Sequence, residues 1–177
     1  MTASESGDLR GIAAVTQYLD AAGVRYEVIE HEAVYTAADE AAAAGVDAPH
    51  AAKTLALHDH GGYRLAVIPA SQRLDVDRAR EALGADRHLR LATEDEIRDA
   101  FPSFDVGALP PFGSPLPVPE ILDIRLLYRD RLLCAGGDHQ HSILIDPRDV
   151  ARLAEPRVAD ICARAPGEHR FADVPHP

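Results

Sequence analysis

The sequence predicts an α+β domain in which one mixed, curved, barrel-like β-sheet is covered by helices. Three observations carry this. The segments read in the order α-β-α-β-β-α-β-α-loop-β-β-β-α, which is not a regular βαβ alternation. Residues 54–58 and 63–68 are apolar runs flanking Asp59-His60-Gly61-Gly62, the strongest hairpin signal in the chain. The 177 residues suffice for one domain with a sizeable core, and no internal repeat or compositional break marks a second.

Taken in order, residues 8–22 space Ile12, Val15, Leu19 and Ala22 at three and four residues, an amphipathic helix that Gly23 stops. Residues 26–30 read as a strand. Thr36 can cap an alanine-rich second helix, with Asp39 three residues on, ending near Gly45. After the hairpin, Asp75 opens a helix to Leu83, closed by Gly84. Residues 88–91 form a short strand. Thr93 and Glu96 then make a capping box for a helix to about Ala100. Residues 102–119 are proline-rich yet hold Phe104, Val106, Leu109 and Phe112, which suits an ordered, rigid loop. Strands are expected near 124–128, 131–135 and 142–146. A helix follows from Asp146-Pro147 to about Leu153, then a short one over 158–164, in a domain spanning 8–164 with a loose tail at 165–177.

Composition narrows the function. No apolar run approaches the roughly 18 residues needed to span a bilayer. The polar, acidic Met1–Arg10 segment lacks the pattern of a secretory signal, and Cys134 and Cys162 are widely spaced, so reduced thiols and a cytoplasmic location are expected. A net charge of -11 argues against DNA or broad nucleic-acid binding, though not against gripping the last nucleotides of an RNA. Of the 18 basic residues, Lys53 is the only lysine. In an Ala-, Arg-, Gly- and Pro-rich chain, lysine drifts to arginine wherever function allows. A single survivor therefore suggests a site needing a compact ammonium rather than a wide, permanently charged guanidinium. Chance survival on a surface is the alternative.

Four segments, HEAVYTAADEAAAAGV (31–46), AAKTLALHDHGGYRLAVIPASQRLD (51–75), GALPPFG (107–113) and AGGDHQHSILIDPRDVARL (135–153), resemble the YbaK/prolyl-tRNA synthetase insertion (INS-like) editing domain family. Each motif alone is weak; their order, their spacing and the single lysine make the match specific. The family lysine falls on Lys53, beside Thr54. The G-x-x-x-P loop falls on Gly107-Ala108-Leu109-Pro110-Pro111 and its extension on Phe112-Gly113. The resemblance implies free-standing hydrolysis of a wrong amino acid from the 3′ adenosine of a tRNA, often tRNA-Pro. The expected partners are the acceptor end of an aminoacyl-tRNA and, as a further candidate, an aminoacyl-tRNA synthetase. It also implies attack by water assisted by the substrate's 2′-hydroxyl, with no cofactor and no protein nucleophile. The chain departs from the best-known branch at Gly136–His141, which is richer in Asp and His, and this leaves amino-acid specificity open.

An aminoacyl ester is already activated, so the site must hold the ribose, stabilise an oxyanion and place water. Gly107 would let backbone N–H groups approach a carbonyl oxygen closely, and the prolines would hold that loop rigid. Lys53 could bind the terminal phosphate or other polar groups of the substrate. The chain lacks a G-x-S-x-G nucleophile elbow. His31 either lines the pocket or caps the first strand. Gly137, Asp138, His139 and His141 are candidates for reading the adenosine or the amino acid. Asp138, His139 and His141 also form the best metal-like cluster; on a strand His139 and His141 would share one face, but zinc normally takes three or four ligands and only a distant third could complete such a site, so no metal is expected. A non-catalytic module that binds a tRNA end or a synthetase is the rival from another class.

Overall fold

The computed structural model describes residues 9–112, 116 and 118–165, and among them the chain forms eight strands and five α-helices. Helix α1 (Gly11–Ala21) buries Ala14, Val15 and Leu19, and Gly23 follows it at φ +68. Strand β1 (Tyr26–Glu30) leads to α2 (Ala37–Ala43), where the Thr36 side chain accepts the Asp39 N–H as the cap predicts. The hairpin is longer than its apolar runs: β2 (Ala52–Asp59) and β3 (Gly62–Pro69) pair from Ala52↔Pro69 to Asp59↔Gly62. Helix α3 (Val76–Leu83) lies between an Asp75 cap and Gly84 at φ +61. After β4 (Arg90–Leu91), α4 (Glu94–Ala100) carries both hydrogen bonds of the Thr93–Glu96 capping box. Then come β5 (Glu120–Asp123), β6 (Leu132–Ala135), β7 (His141–Ile145), α5 (Pro147–Ala154) and β8 (Arg157–Ala159).

The strands form two sheets, ordered β1-β7-β6 and β4-β2-β3-β5-β8, in which the β3–β5 and β5–β8 pairs are parallel and the others antiparallel. A parallel bridge between Ala51 and Leu133 joins β2 to β6, so the surface curves around the core without closing into a barrel. Strand alternation sorts the side chains. Ala52, Ala56, Cys134, Ile143 and Ile145 face the inner core with α1, Leu109 and Phe112. On the outer face, Leu57 and Ile68 pack with Ala79 of α3, and Ala51, Leu133 and Leu144 pack with Ala41 of α2. No helix among the described residues is long and apolar enough to cross a membrane.

Two expected elements differ. Residues 124–128 form a 3-10 turn, not a strand, because the Asp123 carboxylate accepts the Arg125 N–H and caps the chain into a turn. The strand lies one step earlier, at β5. The helix expected over 158–164 is instead the end of β8 and an extended stretch. Backbone pairing of Leu122 with Val158, and an Ile161 N–H donated to the buried Asp123 carboxylate, hold it extended. Of the expected tail, only Ala165 is among the described residues.

Candidate active site

The proline-rich loop is locked from below. Phe104, Leu109, Phe112 and Leu116 belong to the inner core, and Pro110 and Pro111 are buried with them. From above it is tied to two other segments: Gly11 N–H donates to the Ser103 carbonyl at 2.8 Å, and Asp105 N–H donates to the Gly137 carbonyl at 3.0 Å. This junction requires glycine. Gly137 has φ +94, and a Cβ there would meet Phe104 Cδ1 at 2.8 Å and the Gly11 carbonyl carbon at 2.9 Å. Gly137→Ala combines overpacking with left-handed strain, together about 2–4 kcal/mol. It should lower the thermal midpoint clearly in a melting experiment, and an unchanged midpoint would refute the junction's rigidity.

Above the junction lies a small cleft lined by His31, Val34, Tyr35, Thr36, Glu40, Gly107, Ala108, Asp138 and His139. One wall is the chain after β1, which continues the β1–β7 ladder: His31 N–H donates to Gln140 O at 2.9 Å and Val34 N–H to His139 O at 3.0 Å. The other wall is Gly107, exposed and at φ +88, with its Cβ direction toward the His139 ring. Ala108 N–H is committed to Asp105 O, while Gly107 N–H has no partner among the described residues. Tyr35 is 73% exposed at the mouth, its ring tilted against His139 at a centroid distance of 4.8 Å.

Behind the cleft runs a hydrogen-bonded chain. His31 Nδ1 lies 2.8 Å from the Glu32 carbonyl, its Nε2 lies 2.8 Å from Ser142 Oγ, and Ser142 Oγ is bonded in turn to Glu40 Oε1. Burial pushes the Glu40 carboxyl above its usual range, against the opposing pull of the Ser142 hydrogen bond and of His31 and His139. Asp138 has its oxygens engaged by Ile12 N–H, Gln140 N–H and His141 Nδ1, and these bonds hold its pKa below the ordinary value despite burial. It thereby supplies the cap that α1 lacks from its own Arg10.

The structure therefore brings His31, Gly107, Ala108, Asp138 and His139 together at one cleft. His141 does not line it, being turned to Asp138. Leu109, Pro110, Pro111, Phe112 and Gly137 support the loop from the core and the junction rather than facing the cleft. Gly113 lies outside the described residues. Thr54 shares the inner side of β2 with Ala52 and Ala56, whereas Lys53 is on the outer side, half-buried. The isolated Ala51–Leu133 bridge brings the start of β2 to β6, whose Ala135 pairs with Ser142 of β7. Lys53 thus stands on the same outer face as Ser142, with β6 between their strands, and does not line the cleft itself. Burial lowers the Lys53 pKa, the nearby Cys162 thiol opposes this, and the Arg73 cation reinforces it. Glu40, Ser142 and Tyr35 are site residues that the sequence reading passed over. The sole signal was a serine inside an otherwise apolar strand, HSILI, at a position facing cover. Among the described residues no group of three or more His, Cys, Asp and Glu side chains is placed to hold a metal ion. Both cysteines are buried, and Cys162 donates its thiol hydrogen to Asp123.

A family model described as an aminoacyl-tRNA editing domain matches residues 31–153. A crystal structure described as a candidate trans-editing enzyme for prolyl tRNA synthetase is 29% identical, with a TM-score of 0.78 over 86% of this chain and 97% of that one. A hypothetical protein, APE2540, is 27% identical with a TM-score of 0.77 over 85% and 99%. A scaffold used for epitope backbone grafting is 26% identical with a TM-score of 0.78 over 87% and 97%. No curated protein sequence shows a significant match. The matched span holds the cleft, its loop and the lysine strand, and the chain belongs to the aminoacyl-tRNA editing domain family.

Proposed function

We propose that the chain is a free-standing trans-editing hydrolase that cleaves the ester of a mis-charged aminoacyl-tRNA, of the tRNA-Pro type, at the Gly107–His139 cleft. The observation that carries this reading is a rigid loop whose Gly107 lines the cleft and whose Gly107 N–H has no partner among the described residues, so that the carbonyl oxygen of an ester could accept it. Water adds to the carbonyl carbon, its proton passing by way of the substrate's 2′-hydroxyl. The bond to the 3′ oxygen then breaks, and that oxygen takes a proton as the amino acid leaves. Both free cysteines are buried and Ser142 is fully buried, which favours water over a protein nucleophile. Lys53 is assigned to the incoming terminal phosphate or the substrate's polar groups from the border of the site. A panel of mis-charged tRNAs scored for ester hydrolysis tests the proposal. Binding of those tRNAs without any deacylation would make the chain a binding module instead.

Tyr35 is assigned to the terminal adenine, because an exposed ring beside the cleft offers a face on which a base can stack. Stacking contributes about 1–3 kcal/mol per base. Tyr35→Ala should raise KM by about 5- to 100-fold with kcat little changed, and Tyr35→Phe should keep KM near that of the unsubstituted protein. A fall in kcat alone in steady-state deacylation would remove this assignment.

A further inference from the structure

The chain behind the cleft fixes a count of protons. A carbonyl oxygen can only accept, so the 2.8 Å contact with Glu32 O places a hydrogen on His31 Nδ1. Ser142 has one hydroxyl hydrogen and stands between His31 Nε2 and Glu40 Oε1. If it donates to Nε2, His31 is neutral and Glu40 must be protonated to donate to Oγ. If it donates to a Glu40 carboxylate, Nε2 must carry its own hydrogen, and His31 is a cation. Both arrangements that satisfy every bond share one proton between His31 and Glu40. Ser142 is 0% exposed, so this relay is isolated from water at its centre. Its open end is Glu40 Oε2, which has no partner among the described residues, on a side chain that lines the cleft.

The other charged or titratable groups facing this carboxylate are few. His139 lies across the cleft on the β6–β7 loop. Asp138 also lines the cleft, with its oxygens engaged by three donors. Cys134, on the inner side of β6, is a buried thiol held protonated by burial and by the nearby Glu40 and Glu120. Lys53 stands two strands off.

We infer that Glu40 Oε2 receives the α-amino group of the aminoacyl ester, with His31 holding the balancing proton through Ser142. The inference rests on the editing reading proposed above. An aminoacyl ester differs from a peptidyl ester by a free ammonium one carbon from the carbonyl. With that carbonyl at Gly107, the ammonium enters the same cleft, whose lining includes Glu40. Its arrival favours the carboxylate form of Glu40, and the shared proton moves to His31 Nε2 through Ser142. No proton need leave the site and no bond to carbon changes. An N-acylated amino acid offers no ammonium and adds bulk toward Glu40.

The test compares the best-cleaved aminoacyl-tRNA of the panel with its N-acetyl derivative, whose ester is intact. A hydrogen-bonded charge contact of this kind corresponds to roughly 20-fold. The protein should cleave the free-amino form at least about 20-fold faster in kcat/KM. Glu40→Gln should lose that factor on the free-amino substrate and change the N-acetyl rate much less, so that the preference collapses. Ser142→Ala, which cuts the relay, should reduce the preference in the same direction. If the unsubstituted protein cleaves both forms within threefold, the inference is wrong while the editing reading stands; this holds even where Glu40→Gln fails to fold. Equal losses by Glu40→Gln on both substrates would make Glu40 structural and overturn it. If no aminoacyl-tRNA in the panel is cleaved, the editing reading falls and takes the inference with it.

Discussion

Lys53→Arg is expected to lower single-turnover deacylation by about a hundredfold or more while the fold survives. Lys53 is the only lysine beside 17 arginines, and it sits in β2 opposite Ile68 on the outer face that also carries Ser142. Its ammonium is half-buried, and both burial and the Arg73 cation disfavour its charge, a strain that a structural surface lysine would have no reason to keep. A guanidinium there would be wider, would not give up its proton and would press harder against Arg73. A phosphate or ribose displaced by about 1 Å can slow reaction on the order of a hundredfold. Lys53→Ala should be at least as damaging, since it removes the contact altogether. Neither change removes core packing, so circular dichroism should stay native. An arginine variant within about threefold, a barrier difference near RT, would mean that Lys53 is not central to the reaction.

Most of the fold was legible because its boundaries are set by local chemistry. The Thr36, Asp75, Thr93–Glu96 and Asp146 caps each bond the backbone hydrogen that their spacing predicts. The two missed elements depend on distant partners. Strand β8 exists because β5 offers it a parallel edge, and nothing in Arg157-Val158-Ala159 announces that edge. Residues 124–128, IRLLY, read as strand, and the strand before them does not. The buried Asp123, bonded to Arg125 N–H, Ile161 N–H and Cys162 Sγ, ends the strand and starts the turn. The site was legible to the same extent. The G-x-x-x-P loop and its glycine show in the sequence because glycine has few reasons to stand before two prolines. Glu40 and Ser142 meet across 102 residues, and in the sequence one is an acidic residue on an alanine-rich helix and the other a serine in a strand. Their pairing is a product of α2 lying over β7.

Removing the carboxyl of Glu120 should stabilise the protein, and more so as pH rises. Glu120 opens β5 opposite Leu65, on the side facing the inner core, and is 4% exposed. Neither of its carboxyl oxygens has a hydrogen-bond partner among the described residues. Burial pushes its pKa from 4.5 up to about 9. Below pH 4.5 both the folded and unfolded chains hold the proton, and the group does not disfavour folding. Between 4.5 and 9 the unfolded chain gives it up while the folded chain retains it, so folding is opposed by about 1.36 kcal/mol for each pH unit. At pH 7 this amounts to about 3 kcal/mol. Glu120→Gln keeps the shape and removes the titration. Glu120→Met also removes the need for a polar partner and should be the more stable of the two. Either variant should differ little from the unsubstituted protein in its titration contribution near pH 4.5 and gain steadily to pH 8. At pH 7 the gain corresponds to roughly 6–12 °C in thermal midpoint for a chain of this size. The measurement is a set of melting curves from pH 5 to 8. A difference between variant and unsubstituted protein that stays flat across that range would show that Glu120 ionises normally in the folded chain.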